Sequence, residues 1–96
     1  MQRDQVMDLL ASHMEYLRRE FGVARLAVFG STARNMARED SDVDVLVAFD
    51  GPSTSARFFG VQFYLEDLLG RPVDLVTEKA LRPELRPIIE REVIRV

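Results

Sequence analysis

At 96 residues and 11.0 kDa the chain has room for one domain around one core, read as a single unit over 1–96. Its 47% hydrophobic and 30% charged residues exclude disordered and fibrous classes, and the absence of cysteine excludes a disulfide scaffold, thiolate ligands and a thiol nucleophile. A formal charge of −3 argues against a domain that holds polymeric nucleic acid, an affinity built from many Lys and Arg contacts to phosphates. In chain order, the first signal is an amphipathic helix from Arg3 to Glu20, where Val6, Leu9, Leu10, Met14, Leu17 and then Phe21 recur at helical spacing until Gly22 stops it. Arg25 to Phe29, short, apolar and bounded by Gly22 and Gly30, reads as a buried strand. Thr32 to Ala37 reads as a short helix. Val43 to Phe49 is β-branched and continuous, the strongest strand in the sequence, and Asp50-Gly-Pro-Ser closes it with turn chemistry. A second long helix spans Ser55 to Leu69, with Ser53 to Ser55 as candidate N-caps and Phe58, Val61, Leu65, Leu68 and Leu69 on its core face. Phe59 and Phe63 fall together on a neighbouring face, either covered by a loop or the last helix or left as an apolar docking strip for a partner or a second copy of the chain. Pro72 to Thr77 is a third strand, a final helical segment after Pro83 and Pro87 carries Ile88, Ile89 and Glu92, and Val93 to Val96 is a candidate edge strand. No apolar run approaches the ~20 residues that cross a bilayer and no signal-peptide core follows Met1, so the expectation is no membrane association and a cytoplasmic location.

This alternation predicts an α/β (α+β) fold, a small mixed β-sheet with helices packed on it. For Gly30-Ser31, at the end of the first strand, to meet Asp42 and Asp44, at the start of the second, those strands must be antiparallel. A helical crossover lets the second and third strands be parallel, which brings Asp74 to the same sheet end. Asp42 and Asp44 sit two residues apart in extended chain, so their side chains share a face and can share a metal ion, with Asp74 as third oxygen ligand. Clustered carboxylates are costly without cations, and the set points to Mg²⁺, with room for two ions. Upstream, Gly30 lets the backbone approach a ligand, Ser31 offers a hydroxyl and an N–H, and the helix that follows directs its positive end there. Arg34 can reach back to a triphosphate as a bidentate donor, with Arg38 as a second candidate. His13 lies on the apolar side of the first helix without a second His or Cys nearby in sequence, and it is assigned no role.

Gly30-Ser31, ten intervening residues, then Asp42-Val43-Asp44 resembles the G-S-x10-D-x-D signature of the DNA polymerase β-like nucleotidyltransferase superfamily, with Arg34 at its basic position and Asp74 at its third Asp. Length and element order resemble the minimal nucleotidyltransferase (MNT) family over nearly the whole chain. Asn35 departs from the pattern, since many relatives carry Gly after the Arg, and Asn tolerates left-handed geometry. The resemblance implies Mg²⁺-dependent transfer of AMP from ATP to a protein hydroxyl. It also implies a HEPN-domain toxin as acceptor and partner, and an antitoxin role for this chain. Asp42, Asp44 and Asp74 would be its catalytic and metal-binding residues, with Asp74 helping to deprotonate the acceptor, and Gly30, Ser31 and Arg34 its nucleotide-binding residues. The alternative is a non-catalytic, nucleotide- and partner-binding antitoxin that masks its toxin. Aspartyl-nucleophile phosphatases also use D-x-D, but after an apolar strand, whereas here the pair precedes one. Metal-dependent glycosyltransferases need a larger fold.

Overall fold

The computed structural model describes residues 1–38 and 40–96. Helix α1 (Arg3–Phe21) starts where the Gln5 side chain accepts the Gln2 N–H at 2.9 Å, and it stops at Gly22, whose left-handed backbone (φ 71°) returns its N–H to the Arg18 carbonyl. It leads into strand β1 (Val23–Phe29) and a one-turn helix α2 (Gly30–Ala33). Strand β2 (Val43–Phe49) follows, then helix α3 (Ser55–Leu69), whose N-cap is Thr54; its hydroxyl accepts the Arg57 N–H at 3.2 Å. Strand β3 (Val73–Thr77), helix α4 (Arg86–Glu92) and the short strand β4 (Ile94–Arg95) complete the order.

The four strands form one mixed sheet in the order β3-β2-β1-β4, with β1 antiparallel to β2 and β4, and β2 parallel to β3. The strand directions expected from the carboxylates are the ones observed. Helices α1 and α3 cover one face. There Val6, Leu10 and Leu17 of α1 and Val61 and Leu65 of α3 lose all contact with solvent against Val45, Val47 and Leu75. Each such side chain contributes about 1.5–3 kcal/mol by leaving water. The other face is thinner, with Ala27, Leu46 and Leu81 as its buried residues and α4 contributing none of its own. No helix among the described residues is long and apolar enough to cross a membrane.

Two expectations change and one open alternative is decided. β1 begins at Val23, two residues earlier than the apolar run, because its first residue pairs with Phe49 across an irregular step. The helix expected over Thr32–Ala37 is displaced to Gly30–Ala33, because Asn35 turns left-handed at φ 58° and the chain leaves the helix there. Of the two alternatives for Phe59 and Phe63, the exposed one holds: among the described residues no loop or helix buries them, and they are 50% and 61% exposed and stack on each other with ring centroids 6.2 Å apart.

Gly60 sets the closeness of α1 to α3. A Cβ at that position would lie 2.5 Å from the Phe21 ring, which itself packs against Tyr16 and Tyr64. Helix propensity alone makes Gly60→Ala stabilising by about 1 kcal/mol. Overpacking costs about 1–3 kcal/mol and outweighs it. We therefore expect Gly60→Ala to lower the melting temperature by roughly 4–8 °C per net kcal/mol. A rise in the thermal melt would show that the ring swings aside freely.

Candidate active site

The N-terminal ends of β2 and β3 carry the acidic residues. Val43 and Val45 point into the core, so the alternation of an extended strand turns Asp42 and Asp44 together to the other side. The parallel register sets Asp44 directly against Asp74, with Val43 against Val73 beneath them. From the other side, antiparallel pairing sets Phe29 opposite Asp44, which delivers Gly30 to the same place. Gly30 has φ +70°, and a Cβ there would overlap the Asp44 carboxylate oxygen. Glycine is required by both the dihedral and the space.

Crowding of negative charge is visible at Asp44. Burial pushes its carboxyl up to about 6, and the neighbouring charges of Asp74 and Asp42, a hydrogen bond with Asp74 and the charge of Glu92 act in the same direction. Asp42 and Asp74 are exposed, and Asp44 is half-buried. Among the described residues no group of three or more His, Cys, Asp or Glu side chains is already disposed to hold a metal ion. The donors nevertheless suit a hard divalent cation: all are carboxylate oxygens, and their neighbouring charges raise the Asp44 carboxyl.

Ser31 and Arg34 flank this cluster in α2 and at its end. With one turn α2 supplies single N–H groups and no appreciable macrodipole, contrary to the sequence expectation. Arg34 is exposed, and its Nη1 donates to Glu92 Oε2 at 2.7 Å, so in this state it faces α4. Glu92 Oε1 accepts the Gly30 N–H at 3.0 Å. Glu92 thus joins the site without a motif to announce it. The available signal was topological: an acidic residue just ahead of an edge strand that returns beside β1. Arg38 is exposed and engaged through its backbone, donating its N–H to Ser41 Oγ and accepting Arg71 Nη1 at its carbonyl. Asn35 Oδ1 accepts the Arg3 N–H at 3.2 Å, and Arg3 Nη1 donates to the Ala33 carbonyl at 3.3 Å, tying this turn to the start of α1. His13 Nδ1 is hydrogen-bonded to the Tyr64 hydroxyl between α1 and α3 and takes no part in the site.

A cavity of about 240 Å³ opens at the opposite end of the sheet, lined by Arg25, Phe49, Thr77, Glu78, Lys79 and Arg86 among others. Its two arginines are already paired. Arg25 holds the Glu78 carboxylate through two hydrogen bonds, and Arg86 donates to the Glu78 carbonyl and faces Glu90. That leaves the carboxylate end as the candidate site.

Comparison with known proteins identifies the family. Residues 10–96 match the nucleotidyltransferase domain family. The protein adenylyltransferase MntA of Thermococcus cleftensis is 41% identical over 93 residues, covering 97% of this chain and 94% of the relative. A solved structure assigned as a minimal nucleotidyltransferase superposes with a TM-score of 0.85 at 40% identity, over 100% of this chain and 97% of that one. An MNT antitoxin complex with the tri-AMPylated HEPN toxin of Shewanella oneidensis gives a TM-score of 0.60 at 16% identity, over 97% of this chain and 66% of that one, a likeness of fold alone.

The Asp44 shift has a thermodynamic consequence. Its carboxyl binds a proton more tightly folded than unfolded, so stability present below its ordinary value of 3.8 is lost as pH rises through about 6. Discounted for partial exposure, the ionised form costs roughly 1 kcal/mol. With a chelator present, Asp44→Asn should melt roughly 4–8 °C above the parent at pH 7.5, and the gap should close toward pH 4. Thermal melts at the two pH values check this, and a variant no more stable than the parent at pH 7.5 would remove the repulsion argument.

Proposed function

Since the chain belongs to the nucleotidyltransferase domain family, we propose that it is a protein adenylyltransferase that moves AMP from ATP to a hydroxyl of a HEPN-domain toxin, for which it serves as antitoxin. The observation that carries this reading is the register-locked pair Asp44 and Asp74, with Asp42 on the same strand face and the Gly30-Ser31 turn against it. In the proposed step the acceptor oxygen bonds to the α-phosphorus while the bond from that phosphorus to the pyrophosphate oxygen breaks. The hydroxyl proton passes to the Asp74 carboxylate, and pyrophosphate leaves. Ser31 and Arg34 anchor the phosphates, and Gly30 lets the backbone come close to them. Asp42, Asp44 and Asp74 are the residues we assign to Mg²⁺, which when bound supplies neutralising charge to the triphosphate and polarises the attacking hydroxyl.

The test is transfer of α-labelled AMP to a co-purified HEPN-domain partner. Asp42→Asn and Asp44→Asn should each lower labelling by about 100-fold or more while leaving the fold intact. Asp74→Asn should lose transfer and retain ATP binding by calorimetry, because Ser31, Arg34 and the first acidic pair hold the nucleotide without it. Partner binding and toxin neutralisation with no label incorporated by the parent chain would favour simple masking instead.

A further inference from the structure

We propose that Glu92 is a built-in competitor of the substrate's phosphates: its carboxylate occupies the Gly30 N–H and Arg34, and a triphosphate must displace it to bind. This rests on the nucleotide reading above. Two contacts carry it, Gly30 N–H to Glu92 Oε1 at 3.0 Å and Arg34 Nη1 to Glu92 Oε2 at 2.7 Å. One side chain, 62 residues along the chain from Gly30, holds a backbone donor and a guanidinium together. A phosphate oxygen asks for the same two kinds of donor as a carboxylate oxygen. The Gly30 N–H has one hydrogen and serves one acceptor at a time. The ion pairs of Arg25 with Glu78 and of Arg86 with Glu90 lie away from the carboxylate cluster, whereas the charge of Glu92 also bears on Asp44.

An anion parked in that place opposes an incoming polyanion twice, by filling its donors and by repelling it. Release requires little of the fold, since rotation of the Glu92 side chain frees both donors and α4 has no buried residue to hold it rigid. If the closed form exceeds the open one by about ten to one, apparent affinity for the triphosphate falls about 10-fold.

Calorimetric titration of AMP-PNP with Mg²⁺ into the whole chain tests this in three variants. Glu92→Gln, which keeps the shape and removes the charge, should bind about 10-fold tighter than the parent. Glu92→Asp, one methylene too short to span both donors, should bind tighter as well. Adding Arg34→Ala to Glu92→Gln should cancel the gain. Without nucleotide, the Gly30 amide should lose protection from hydrogen exchange in Glu92→Ala. Equal or weaker AMP-PNP binding by a folded Glu92→Gln chain would overturn the inference while leaving the nucleotide reading in place. Failure of the parent and every variant to bind AMP-PNP at millimolar concentration would overturn both.

Discussion

Two carboxylates are held side by side across a parallel ladder, and the rest of the chain can be understood as what keeps them there. Asp44 and Asp74 occupy paired positions of β2 and β3, so neither can retreat without breaking the register that Val43 to Val47 and Val73 to Thr77 maintain. Their repulsion acts at the end of the sheet, and the counterweight is the apolar contact beneath it. Val43, Val45, Val73 and Leu75 are buried against α1 and α3, and a slip by one residue would turn all of them outward. Strain placed on such a frame is borne by many side chains at once, which is how a domain of this size can tolerate an acidic cluster at its edge.

The two faces of the sheet do different work. Against α1 and α3 the packing is deep and continuous, and the strands that carry the carboxylates inherit its rigidity. Against α4 the cover is thin, with Leu85 and Ile88 exposed and no helix residue fully buried. Elements with few buried apolar contacts open at low cost. Here that element ends in Glu92, beside the donors that the proposed chemistry uses. Rigid acids and a loosely held cap are a sensible division for the proposed chemistry, in which the metal ligands need fixed positions while a site that loads and releases a ligand needs something that moves.

Most of this frame was legible in the sequence because its signals are local. The apolar runs of β1 and β2, the amphipathic periods of α1 and α3, the cap at Thr54 and the stop at Gly22 each depend on neighbours a few residues away. Strand directions followed from one chemical requirement, that Gly30, Asp42, Asp44 and Asp74 share an end. What escaped was of longer range or finer scale. The extent of α2 turned on a single left-handed residue, Asn35, and helical propensity over Thr32–Ala37 carries no sign of that. Glu92 reaches the site only because β4 returns to β1, a pairing of two residues that periodicity can barely register. The orientation of Arg34 depends in turn on Glu92, so it was hidden with it. For Phe59 and Phe63 the pattern identified the face and left its cover open, since what lies over a helix is set by elements distant in sequence.

The tie between Arg3 and the Ala33–Asn35 turn gives the first winding of α1 an influence on timing. Helix ends unwind and rewind on sub-microsecond timescales, and each excursion at Arg3 withdraws a backbone donor from Asn35 and a guanidinium from Ala33. The Gln5 side chain, closed on the Gln2 N–H, lengthens the wound intervals. The lifetime of the left-handed turn, and with it the steadiness of the Arg34 backbone, is then governed by the breathing of a helix end at the far side of the chain's first strand. Residues outside the acidic cluster can in this way set how often the turn that carries Arg34 is in order.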